Sequence, residues 1–165
     1  MTLMARYDRL IDRLLAELRI QYGPRLVSVA VFGSVGRGTP REGSDVDVLI
    51  VVRDLPRGRS GRVDDCLTLE RRLAPALREA QVGPIPVRLS PVLKTPAEVE
   101  HGSPLFLDLV EDARMVYDPD GFLAGYLDGL RDRLRALGSR RIWRGDTWYW
   151  DLKPDLKPGE VFTWP

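Results

Sequence analysis

The sequence predicts an α/β (α+β) fold: a small mixed sheet flanked by helices, with an aromatic C-terminal tail. Three observations lead there. Two short runs, residues 26–32 and 46–52, are apolar and rich in β-branched side chains, as in strands buried on both faces. The segments around them carry apolar residues at helical spacing. Beyond residue 144 that spacing stops, and Trp148, Tyr149, Trp150, Phe162 and Trp164 fall among Pro154, Pro158 and Gly159.

Taken in order, Leu3, Tyr7, Leu10, Ile11, Leu14, Leu15 and Leu18 line one face of a helix over residues 3–20, ended by Gly23-Pro24. The first strand follows at 26–32. Residues 33–43 are glycine-rich and contain Pro40, which predicts a turn with one short helical turn after Ser34. The second strand occupies 46–52. A polar loop at 54–61 leads to a helix at 63–80, in which Pro75 predicts a kink or a restart.

Residues 82–91 are expected to form the third strand, and Pro84, Pro86 and Pro91 place it at a sheet edge. Thr95-Pro96-Ala97-Glu98 has the residues of a helix start, with Thr95 as N-cap and Pro96 in the first turn. A helix at 104–112, a short strand at 114–117 and a long helix from Asp118 to Leu137, stopped by Gly138, complete the regular part. An aromatic tail of this composition is expected to pack on its own domain or on a partner.

Composition bounds the function. The chain has 165 residues and a net charge of +1, so no overall field draws it to nucleic acid, and charge gives nucleic-acid binding no support. With one cysteine (Cys66) and one histidine (His101), it can close no internal disulfide and build no Cys/His zinc site. Cys66 reads as a small buried hydrophobe and His101 as a surface or capping side chain. No apolar run is long enough for a membrane span, and the start is mixed-charge, so no membrane association and a cytoplasmic location are expected.

The chemistry concentrates in Phe32-Gly33-Ser34-Val35-Gly36-Arg37-Gly38-Thr39 and Gly43-Ser44-Asp45-Val46-Asp47-Val48-Leu49-Ile50. Gly33 permits a tight turn and close approach of a phosphate. Ser34 stands at the start of a helical turn, where backbone N–H groups face an anion, and its hydroxyl can donate to a phosphate oxygen. Arg37 brings positive charge to the same place. Asp45 and Asp47 alternate along a strand, so both carboxylates share a face. Such a pair is a hard-oxygen site suited to Mg²⁺ together with substrate phosphates.

This pattern resembles the DNA polymerase β-like nucleotidyltransferase superfamily, in particular its minimal nucleotidyltransferases. The resemblance implies the nucleotidyltransferase fold over residues 1–118, with 119–165 as a C-terminal helix and aromatic tail packed on the same domain. It implies that Gly33 and Ser34 bind the triphosphate of an NTP, with ATP expected. It implies that Asp45 and Asp47 are the catalytic pair, binding Mg²⁺ or Mn²⁺. The reaction implied is transfer of a nucleoside monophosphate to a hydroxyl of a protein, RNA or small molecule, with release of pyrophosphate. The implied partners are the NTP and a HEPN-type helical protein; a homo-oligomer is the alternative.

One departure stands out. The family places a third carboxylate on the next strand. Here that strand reads Ile85-Pro86-Val87-Arg88-Leu89-Ser90. With Ile85, Val87 and Leu89 toward the core, the cleft would receive Pro86, Arg88 and Ser90, none of them acidic. Arg88 would then pair with Asp47 or bind a phosphate. Glu111, Asp112 and Asp151 are acids that could arrive from elsewhere in the chain. Two functions follow: a Mg²⁺-dependent transferase, or a non-catalytic nucleotide-binding or interaction module of the same fold.

Overall fold

Thr2 starts helix α1 (Leu3–Tyr22), its side chain accepting from the Ala5 N–H at 3.2 Å, and Gly23 closes the helix at φ +53°. Of the predicted face, Tyr7, Leu10, Ile11, Leu14 and Leu18 are buried and Leu3 and Leu15 only partly so, while Glu17 and Tyr22 join the buried set. A 3₁₀ turn (Gly23–Arg25) leads into β1 (Leu26–Phe32), then the four-residue helix α2 (Gly33–Gly36) and β2 (Val46–Val52). Helix α3 (Arg59–Ala80) begins four residues before the expected start and runs through Pro75 as one element. In this computed structural model, residues 1–162 are described, apart from the side chain of Arg59. Trp164, assigned above to the aromatic tail, lies outside the described residues, as do Thr163 and Pro165.

The third strand is not where the sequence places it. Strand β3 is Leu89–Lys94, so the expected strand at 82–91 overlaps it by only three residues. Pro84 and Pro86 lack the N–H that a ladder needs, and Gly83 sits at φ +79°. Residues 83–85 instead ride on the loop before β2: Ile85 covers Gly43, where any Cβ would collide with it, and Gly83 meets Glu42 in the same way. Ile85 is therefore about half exposed, at 51%, and not in the core, whereas Val87 and Leu89 are buried as expected. Pro91 is accommodated because β3 is an edge strand.

Beyond β3, Thr95 and Glu98 form a reciprocal capping box at the start of α4 (Pro96–Glu100), and Arg62 clamps the same Glu98 with contacts of 2.9 and 3.0 Å. Helix α5 (Leu105–Asp112) and strand β4 (Arg114–Tyr117) agree with the sequence reading. Helix α6 (Phe122–Ala136) begins later than Asp118. The Asp118 carboxylate accepts from the N–H groups of Leu123 and Ala124 and from the Ser28 hydroxyl, so it caps the helix from outside.

The sheet order is β3-β2-β1-β4, with β2 parallel to β3 and the other pairs antiparallel. Both faces are covered. Val46, Val48, Ile50 and Val52 enter one core with α1 and α3, while Leu49 and Val51 enter another with α5 and α6. Each fully buried aliphatic side chain of this kind contributes about 1.5–3 kcal/mol. Cys66 packs against the first core, and burial raises its thiol pKa, as fits a hydrophobe.

The tail holds a second surprise. Arg140–Arg144 (β5) and Thr147–Asp151 (β6) pair as an antiparallel hairpin around Gly145-Asp146. It lies against α5: the indole N–H groups of Trp148 and Trp150 both donate to Asp108, at 2.7 and 3.2 Å, and Trp150 joins the second core.

Candidate active site

The turn after β1 and the start of β2 meet at the same end of the sheet. Phe32 pairs with Asp47 in the antiparallel ladder, which brings Gly33 onto the Asp47 side chain. Gly33 has φ +65°, and a Cβ there would collide with Asp47 Oδ2, so both conformation and space demand glycine. Gly36 is confined too, its virtual Cβ lying 2.6 Å from the Asp112 carbonyl oxygen and 2.7 Å from that of Val31. Ser34 is half-buried on α2, and its carbonyl accepts from the Thr39 N–H at 2.9 Å.

The loop before β2 is tied down from below. Buried Tyr7 on α1 donates its hydroxyl to the Ser44 carbonyl at 2.7 Å, and Ser44 Oγ accepts from the Arg41 N–H at 2.8 Å. Burial, with the Asp45 charge as the smaller cause, raises the Tyr7 pKa. Sequence reading counted Tyr7 only among core residues. Its position beside Asp45 depends on packing between elements far apart in the chain.

Asp45 is exposed just before β2 and Asp47 is half-buried within it. Burial raises the Asp47 pKa; the Ser90 hydroxyl lowers it, Asp45 raises it and Arg37 lowers it by smaller amounts. The register pairs Asp47 with Ser90, and Val46 with Leu89. Ser90 therefore occupies the place next to Asp47 that the sequence reading considered for Arg88. Arg88 is exposed one residue before β3, its carbonyl accepting from the Val46 N–H at 2.8 Å, and it makes no ion pair with Asp47. The shift of β3 toward the C-terminus is the cause.

Arg37 reaches the site but is already engaged. It contacts Asp112 at 2.5 Å while Arg141 of the hairpin takes the other oxygen at 2.8 Å. Asp112 is buried, at 4% exposure, and this double pairing compensates its charge. Asp112 thus joins the turn after β1, the α5 terminus and the hairpin. Glu111 is exposed and Asp151 lies 3.9 Å from Arg140; neither forms a group of three with Asp45 and Asp47 that could hold a metal. Asp146, at the hairpin tip, lines a groove of about 430 Å³ with Ser34, Arg37, Arg41 and Trp143.

Among the described residues, no group of three or more His, Cys, Asp or Glu side chains could hold a metal. Two carboxylates on hard oxygen donors do fit Mg²⁺ or Mn²⁺, provided that phosphates supply further ligands. A third carboxylate at position 90 should strengthen such a site. We expect Ser90→Asp to bind Mn²⁺ about tenfold more tightly, or ~1.4 kcal/mol. Without cation it should melt lower than wild type, because like charges then crowd Asp47. Mn²⁺ titration followed by paramagnetic resonance, with melting curves in chelator, checks both effects.

No helix among the described residues is long and apolar enough to cross a membrane. The chain is 27% identical, over 132 residues, to a candidate protein adenylyltransferase of Methanocaldococcus jannaschii, covering 79% of this chain and 84% of that one. Its fold is similar to that of the spectinomycin adenyltransferase of Enterococcus faecialis, solved with ATP and spectinomycin. There the TM-score is 0.51 and the identity 13%, over 78% of this chain and 66% of that one. A chain of the Shewanella oneidensis complex between a tri-AMPylated HEPN toxin and an MNT antitoxin aligns with a TM-score of 0.46 and 17% identity, over 78% and 89%. The nucleotidyltransferase domain family matches residues 11–112, which include the turn after β1, the Asp45/Asp47 strand and Asp112; the chain belongs to that family.

Proposed function

We propose that this protein is a Mg²⁺- or Mn²⁺-dependent nucleotidyltransferase that moves a nucleoside monophosphate, AMP from ATP, to a hydroxyl acceptor. One observation carries the reading: Gly33-Ser34 and Asp45/Asp47 meet at one end of β1 and β2, with Asp47 against Gly33. In this reading the Ser34 hydroxyl donates to a phosphate oxygen, while Arg37 and Arg88 offset phosphate charge. Asp45 and Asp47 hold the cation, which supplies Lewis-acid stabilisation of charge on the phosphoryl oxygens. The acceptor oxygen bonds to the α-phosphorus as the bond to the bridging oxygen breaks, and pyrophosphate leaves. With Ser90 where the family has an acid, the hydroxyl proton passes to solvent and transfer is slow.

The same serine favours a second reading, nucleotide binding without transfer. A HEPN-type helical protein, or a second copy of the chain, belongs to either reading as partner. Exposed Val63 (43%), Leu67 (42%) and Ile85 offer it apolar surface.

Incubation with α-labelled ATP, Mn²⁺ and cell extract tests the proposal. Label on a macromolecule or small acceptor, absent with Asp47→Asn, is the expected result. Cation-dependent ATP binding with no label transferred would remove the transferase and leave the binding module. No cation-dependent ATP binding would remove both.

A further inference from the structure

The groove between the segment after β1 and the hairpin has two chemically different walls. One is contributed by the segment after β1, with Ser34, Arg37 and Arg41; the other is contributed by the hairpin, with Trp143 and Asp146. Trp143 is a large ring left 47% exposed. It is also held in place. The Arg141 guanidinium lies 5.0 Å from its ring centroid and is itself fixed by the 2.8 Å pair with Asp112. The Trp148 ring, anchored on Asp108, packs 4.8 Å from it at a 51° tilt.

A ligand that uses both walls has an anionic end and a flat aromatic end. Asp146, a carboxylate at the aromatic side, disfavours a second anionic group there and accepts hydrogen bonds from hydroxyl or amino groups. A nucleoside triphosphate has these parts in this order. We propose that Trp143 is the stacking platform for the nucleobase of the NTP, with Asp146 accepting from its ribose or exocyclic N–H. The C-terminal hairpin is then a working wall of the nucleotide site. This inference rests on the nucleotide-binding reading above and deepens it.

The test is equilibrium binding to the full-length chain in Mn²⁺, with ATP and inorganic tripolyphosphate as separate probes. Stacking on an aromatic side chain contributes enough that Trp143→Ala should weaken ATP about tenfold. Tripolyphosphate, which has no base, should bind both forms alike, and Trp143→Phe should keep most of the ATP affinity. ATP should quench tryptophan fluorescence in the wild type more than in Trp143→Ala.

Unchanged ATP affinity in Trp143→Ala would overturn the inference. So would equal weakening of ATP and tripolyphosphate, which would place the loss in phosphate binding and not in a base contact. Asp47→Asn separates the two levels. ATP binding that needs Asp47 but ignores Trp143 sinks the stacking platform alone. ATP binding indifferent to Asp47 sinks the nucleotide site as drawn.

Discussion

Asp112→Ala is expected to destabilise the protein by about 3 kcal/mol, near the lower end of what breaking a buried ion pair costs. The lower end applies because both arginine partners retain some exposure, 26% for Arg37 and 13% for Arg141. For a chain of this length that loss lowers the melting temperature by on the order of 10 °C. The reason is specific. The substitution strands two guanidinium groups that share one carboxylate, and their positive charges then repel each other. It also cuts the tie between α2, α5 and the hairpin. Limited proteolysis should therefore cleave the hairpin earlier in the variant, while thermal melting reports the global loss. A variant that melts with the wild type would show that the pairing contributes nothing net.

Asp47→Asn should separate function from stability, because the two respond in opposite directions. Removing a carboxylate from the proposed cation site is expected to weaken Mg²⁺-dependent ATP binding at least tenfold, about 1.4 kcal/mol, and to abolish the proposed transfer. Calorimetric titration reads the first effect and label transfer the second. The metal-free protein should be no less stable. Asp47 titrates higher folded than unfolded, chiefly through burial, so the folded state keeps its proton in a pH range where the unfolded state has released it. Stability falls as pH rises through that range, and above it the half-buried charge is a standing cost. An uncharged side chain removes that cost. At neutral pH in chelator the variant should melt at or above the wild-type temperature, and the difference should shrink as pH falls below the ordinary aspartate pKa. A lower melting temperature at neutral pH would make Asp47 a structural residue first.

The sequence by itself determined the two central strands, the helical stripe of α1, the Thr95 cap and the meeting of Gly33-Ser34 with Asp45 and Asp47. All of these are short-range. Alternation along a strand, spacing along a helix and the freedom of a glycine are written within a few residues, and a tight β1-turn-β2 unit brings its own ends together.

What the tertiary structure alone decided involves contacts across long separations. Residues 82–88 are apolar enough for a strand, but Gly83 and Ile85 are claimed by the loop at Glu42 and Gly43, which moves β3 along and puts Ser90, not Arg88, beside Asp47. Asp112 and Arg141 are ordinary surface types in sequence, and only the packing of the hairpin against α5 buries one and pairs the other. The hairpin does carry a local turn signal, Gly145-Asp146 with glycine first, which the sequence reading passed over, but its indoles find their acceptor in Asp108, about forty residues away in the chain. Such partners cannot be read from local pattern, because the energy that selects them comes from burial and charge pairing that exist only once distant segments have come together.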